Sequence, residues 1–235
     1  MGNFFGLKKG LSSNLIKIIA LITMTIDHVG VMLYPSVDVL RIIGRISFPL
    51  FAFSIAEGCK YTKNKLKHFL LIFILGVLCQ IVFYFAQGYI YQGILISFSL
   101  SILLIYAYDY AIKTKNIWAY LLVMLVLTAV ALLNFVLPLA FKKNTFYFDY
   151  GFTGIILPLL IFIPKDYRLK LLFALVGTIL VALESRWSLQ WWSLLSIILL
   201  AFYNGKKGKL NIKYLFYIYY PLHFIVLYGI QMLLV

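Results

Sequence analysis

Acidic side chains are scarce in this chain: seven Asp and Glu stand against 21 Lys and Arg in 235 residues. Charge of either sign is thin, at 12% of residues, where a water-soluble globular chain carries about 25%. Cysteine is almost missing. Cys59 and Cys79 exclude a disulfide framework, and neither stands at a metal-ligand spacing, so no metal is expected. Polar stretches long enough to fold separately are absent as well, and residues 1–235 read as a single domain.

What fills the chain instead is apolar: 64% hydrophobic residues and a mean hydropathy of +0.99. A soluble fold of this length has too little interior to hide that surface, so lipid is its natural solvent. The net charge of +14 does not point to nucleic acid, because the cations fall in short runs between apolar segments. These are Lys8-Lys9, Lys60/Lys63/Lys65/Lys67, Lys113/Lys115, Lys165/Arg168/Lys170 and Lys206/Lys207/Lys209/Lys213. That is the positive-inside pattern that orients helices during insertion. The first apolar run lacks a small-residue cleavage site and is followed by further spans, so it reads as an anchor.

A spanning helix needs roughly 17–25 mostly apolar residues. The pattern predicts an all-α transmembrane bundle of about nine spans: 15–35, 39–59, 67–87, 93–111, 117–138, 151–164, 169–185, 190–204 and 214–234. Pro35, Pro138, Pro164 and Gly205 punctuate segment ends. With a cytoplasmic N-terminus, the basic loops near 60–67, 112–116, 164–170 and 204–213 all face the cytoplasm. The charge-poor loops near 88–92 and 186–189 face outward. The loop carrying Lys142 and Lys143 departs from this, and its Phe146, Tyr147, Phe148 and Tyr150 suit an interfacial aromatic belt. A multi-pass protein of the bacterial cytoplasmic membrane is the expectation.

Ionisable groups inside a span are costly and default to functional candidates. Lys17, Asp27 and His28 lie on the first span, Arg41, Arg45 and Glu57 on the second, and His223 in the middle of the last. Lys17 and His28 are eleven residues apart, close to three turns, so they share a helix face about 16 Å apart along the axis. A cation and a distant imidazole on one stripe suit a long ligand with an anionic end, such as coenzyme A with its phosphates at Lys17. His28 is then placed to deprotonate an amine or hydroxyl. Asp27 points about 100° away from His28, so it is not automatically the group that orients the ring. Arg41 and Arg45 are four apart and share a face. They bind a substrate carboxylate or an oxyanion, or Arg41 snorkels to the interface. Glu57 contributes to the donor site or pairs with Lys60 or Lys63. His223 is either a further catalytic group or a core histidine bonded to a backbone carbonyl. The candidates are thus His28, Asp27, Arg45 and His223 for catalysis, Lys17 and Glu57 for the donor, and Arg41 for the acceptor.

The segments LIKIIALITMTIDHVG and LRIIGRISFPLFAFSIAEGCKYT, followed by DYGFTGIILPLL, WWSLLSIILLAFYNGKKG and KYLFYIYYPLHFIVLYGIQMLL, resemble the TraX family of conjugation-associated membrane proteins. That resemblance spans nearly the whole chain. It implies N-acetylation of a pilin amino terminus from acetyl-CoA or another acyl-CoA. The spacing of Lys17 and His28, with Phe48-Pro49-Leu50-Phe51, is also similar, more distantly, to acyltransferase-3 type membrane enzymes. Lys stands here where Arg is usual there, and lacks its bidentate fork. The acceptor implied is a pilin, peptide, glycan or other amine or hydroxyl. A permease, or a non-catalytic component of a conjugation or secretion apparatus, is the alternative.

Overall fold

The structure is a computed structural model and describes residues 10–87, 90–141, 146–185, 187–208 and 213–234. Lys8, Lys9, Lys142, Lys143 and Lys209, part of the charge pattern above, lie outside the described residues. Helices dominate: α1 (Ser13–Met32), α2 (Asp38–Gly44), α3 (Ser47–Tyr61), α4 (Lys65–Gln87), α5 (Ile94–Thr114), α6 (Ile117–Phe135), α7 (Gly151–Phe162), α8 (Tyr167–Ser185), α9 (Leu195–Ala201) and α10 (Lys213–Leu234).

Six described segments are long and apolar enough to cross a membrane: Ser13–Met32, Asp38–Tyr61, Lys65–Phe85, Ile94–Thr114, Ile117–Ala140 and Leu215–Leu234. The remaining three expected spans differ from these for visible reasons. Gly151–Phe162 is only 12 residues long. The segment from 188 begins as a 3-10 helix (Ser188–Leu194) and turns α-helical only at Leu195. α8 has 19 residues but carries Arg168, Lys170 and Glu184.

The expected continuous span 39–59 is broken at Arg45–Ile46, between α2 and α3. Pro49 explains the position. It has no N–H to bond the Arg45 carbonyl, which weakens the helix one turn earlier, whereas proline fits a helix's first turn. Gly44, the last residue of α2, lies against α1: a Cβ there would fall 2.2 Å from the Cβ of Asp27. Glycine is therefore required for α2 to approach the level of Asp27.

The chain divides into two units. The first comprises residues 10–54 and 164–234 of the described chain. Here α1 packs on α2 and α10, and the 188–194 turn packs on α2 and α8. The start of α1 is held by the loop after α9, whose Lys206 and Lys207 carbonyls accept from the Ser13 and Asn14 amides at 2.8 and 3.0 Å. Two of the helix's four orphan N–H groups are thereby satisfied, while Ser12 Oγ accepts from Leu15. The interior includes Ile16, Ala20, Leu50, Phe53 and Leu200. Lys170, expected in a basic surface loop, is instead buried, its Nζ 5.9 Å above the Phe53 ring, which also meets Tyr167 and Tyr203.

The second unit, Ile55–Ile163, places α5 against α4, α6 and α7. It adds an element absent from the all-α expectation: β1 (Ile90–Gln92) pairs in parallel with β2 (Phe146–Phe148), Tyr91 opposite Tyr147. The stretch read as an aromatic belt is therefore partly a strand. Tyr150 and Gly151 then take positive φ, 60° and 61°, to turn the chain into α7.

A histidine pair and a buried arginine cluster

The first candidate element of the site is built by α1 and α10. His28 Nδ1 lies 2.8 Å from His223 Nε2, across 195 residues of sequence. The rings are within 11° of parallel, with centroids 5.0 Å apart, the arrangement of an edge-to-edge bond. His223 is 5% exposed, and its Nδ1 lies 2.9 Å from the Tyr219 carbonyl. Three residues earlier than His28, Thr25 Oγ1 meets Tyr219 Oη at 2.6 Å. Near the start of α1, Lys17 Nζ stands 5.7 Å over the Phe216 ring. The contacts rise together along both helices, so α1 and α10 run in the same direction.

The tautomers follow from this chain of bonds. A backbone carbonyl only accepts, so His223 Nδ1 carries a proton and donates it to Tyr219. In a neutral His223 the Nε2 is then an acceptor, which makes His28 Nδ1 the donor. The remaining lone pair sits on His28 Nε2. One carbonyl in α10 thus decides which nitrogen of His28 is basic. Of the two alternatives left open for His223, the bond to a backbone carbonyl is present, and the same ring also meets His28.

The second element surrounds Asp27. Its carboxylate, in a residue 7% exposed, accepts from Arg45 Nη2 at 2.6 and 2.5 Å, and Arg45 is itself 6% exposed. Arg41 Nη1 approaches the same carboxylate at 3.4 Å. Trp187 covers both guanidinium groups, at 5.0 Å from Arg41 and 4.8 Å from Arg45. Gln190 Oε1 accepts from Arg45 Nη1 at 3.3 Å. Asp27, a catalytic candidate on the sequence, meets the two arginines and balances their charge. Arg41 is half-buried beside Asp27 and Trp187.

The structure brings Lys17, Asp27, His28, Arg41, Arg45 and His223 into the first unit, as pairs and clusters on α1, α2 and α10. Glu57 falls in the second unit and is buried. In that unit His68, which the sequence reading passed over, bonds Tyr106 Oη through Nδ1 at 2.7 Å. Tyr219, Trp187 and Gln190 were also missed.

Residues 12–231 match the family model described as TraX protein. The chain is 28% identical over 245 positions to a protein of Dichelobacter nodosus named "Probable fimbrial assembly protein FimC, serogroup H1", covering 93% of this chain and 95% of that one. It is 46% identical over 68 residues to an "Uncharacterized protein" of Rickettsia prowazekii (strain Madrid E). That alignment takes in 29% of this chain and spans 25% of that protein's length. No solved structure matches the chain.

Proposed function

Given that the chain belongs to the TraX family, we propose that it is a multi-pass membrane acyltransferase that moves an acetyl group from acetyl-CoA to an amine or hydroxyl acceptor. The observation that carries this reading is the tautomer chain Tyr219–His223–His28, which leaves an imidazole lone pair on His28 Nε2. A neutral imidazole held by a second group is the arrangement a general base requires.

In the reaction the acceptor nitrogen or oxygen attacks the thioester carbonyl while His28 Nε2 takes its proton. The tetrahedral intermediate collapses, the C–S bond breaks, and the coenzyme A sulfur leaves with the proton returned by His28. The products are the acetylated acceptor and free coenzyme A. His223 accepts the Nδ1–H bond throughout and is a positioning residue. Lys17, with the exposed Lys206 and Lys207 whose carbonyls hold the start of α1, supplies positive charge for the donor's phosphates.

The reading places the N-terminus in the cytoplasm of a bacterium and the C-terminus outside. The common direction of α1 and α10 supports this, because two helices that run the same way and both cross are linked by an odd total of crossings. Six crossings alone would leave them antiparallel. Reporter fusions to the two termini are expected to report opposite sides of the membrane. Reporters on the same side overturn that topology.

Transfer itself is tested with the full-length protein in proteoliposomes, labelled acetyl-CoA, and three acceptors: a short peptide with a free amino terminus, an amino sugar and a simple alcohol. Label is expected on at least one acceptor, and Lys17→Ala is expected to raise the KM for acetyl-CoA more than it lowers kcat. Absence of label on all three overturns the reading in favour of an assembly role, such as the name of the Dichelobacter relative describes.

A further inference from the structure

The arginine cluster is rich in donors. Arginine offers no acceptor, so the Arg45 contact fixes the Gln190 amide with its oxygen toward the guanidinium. Its Nε2 is left as a donor, and that atom is fully buried without a bond among the described residues, in a residue 1% exposed. A buried amide hydrogen that meets no acceptor loses its hydration uncompensated. Arg41 adds to the imbalance. Its contacts with Asp27 are long, 3.4–3.5 Å, and run through Nη1, and Nε and Nη2 bond none of the described residues. Arg45, by contrast, takes both carboxylate oxygens. The Arg41 side chain is 19% exposed, and the partly exposed Trp187 lies across both guanidiniums. The cluster is therefore reachable from outside at its Arg41 edge and closed at its Arg45 edge.

We infer that Arg41 and Gln190, lined by Trp187, form an oxoanion subsite that holds a carboxylate or phosphate carried by the acceptor beside the histidine pair. The inference rests on the acyl-transfer reading for the word acceptor, and on the cluster's own chemistry for the word oxoanion. Guanidinium and amide donors together match two oxygens of one anion. The indole face excludes water on one side. Asp27 directly precedes His28 on α1, so an anion bound at this cluster lies at the level of the reacting centre along that helix. Lys17 is about 16 Å distant along α1, which keeps this subsite distinct from the one assigned to the donor phosphates. The acceptors favoured are amines or alcohols that also carry an acidic group.

The test measures anion binding without chemistry. Full-length protein in phosphatidylcholine nanodiscs is titrated with acetate and with inorganic phosphate against chloride at constant ionic strength, following thermal stability. A saturable rise with the oxoanions and none with chloride is expected. Gln190→Leu, close in shape but without the donor, is expected to weaken binding about tenfold, the effect of losing one bond of about 1.4 kcal/mol. Arg41→Gln is expected to abolish it, and Arg41→Lys to restore it only in part. His28→Ala is expected to bind the anions as the wild type does, which separates failure of this subsite from failure of acyl transfer. Undiminished binding in both Arg41→Gln and Gln190→Leu overturns the proposal. Loss of the acetate and phosphate effect in phosphatidylglycerol nanodiscs, restored in phosphatidylcholine, makes the occupant a lipid headgroup and overturns its assignment to the acceptor.

Discussion

Buried polar groups are satisfied in two ways, and α5 of the second unit and the α1–α2–α10 cluster of the first show one each most clearly. On α5 of the second unit, Ser97, Ser99 and Ser101 are almost fully buried, and each hydroxyl donates to a backbone carbonyl: Asp149, Leu95, and both Ser97 and Ile155. Those bonds tie α5 to the segment around α7 and to itself. The first unit has hydroxyls of the same kind at Thr23, Ser47, Thr178 and Ser193, but there ionisable groups also meet one another's side chains from separate elements, His28 with His223 and Asp27 with two arginines. A hydroxyl that donates to a carbonyl has spent its one hydrogen and keeps only acceptor lone pairs. A histidine bonded through one nitrogen keeps the other. The proposed site uses the side-chain network of the first unit, and the serine-to-carbonyl bonds of α5 serve packing.

The comparison breaks most visibly at Asp27. Asp27→Ala leaves two guanidiniums without their carboxylate and is expected to destabilise the protein by about 3–5 kcal/mol, read as a lowered unfolding temperature in detergent. His223→Ala should leave the fold largely intact while letting the His28 ring reorient, and transfer is expected to fall by about 10²-fold. His223→Gln presents an acceptor oxygen near the position of Nε2 and is expected to recover part of that loss, which a merely structural role for His223 would not predict. Ser101→Ala removes the hydroxyl that joins α5 to the Ile155 carbonyl and is expected to lower stability by about 1 kcal/mol, with transfer unchanged. Ser99→Ala removes only a bond within one helix, and a change within about 0.5 kcal/mol is expected. A larger effect of either serine on transfer than on stability would erase the distinction between the two regions.

The site was partly legible before the fold. Lys17 and His28 share a stripe because helical periodicity is a local property, and the same periodicity turned Asp27 away from His28 correctly. The partner of His28 was not readable, since 195 residues separate it from His223 and no local pattern encodes which helices touch. Arg41 and Arg45 were recognised as anomalous charges, but their common carboxylate lies on another helix. Gln190 drew no notice because a neutral amide in an apolar run is chemically quiet until its neighbours are known. Of the fold, the long apolar helices were plain from hydropathy. The break at Arg45–Ile46 was encoded by Pro49 but hidden by the apolar run around it. The three-residue pairing of Ile90–Gln92 with Phe146–Phe148 is too short and too distant in sequence to leave a period.

The most direct measurement compares wild-type protein with His28→Ala in the same proteoliposomes, following acetyl transfer and coenzyme A binding side by side. If His28 Nε2 removes the acceptor proton, transfer falls by about 10²–10⁴-fold, while coenzyme A binding is kept. Transfer by His28→Ala at the wild-type rate would contradict the assignment.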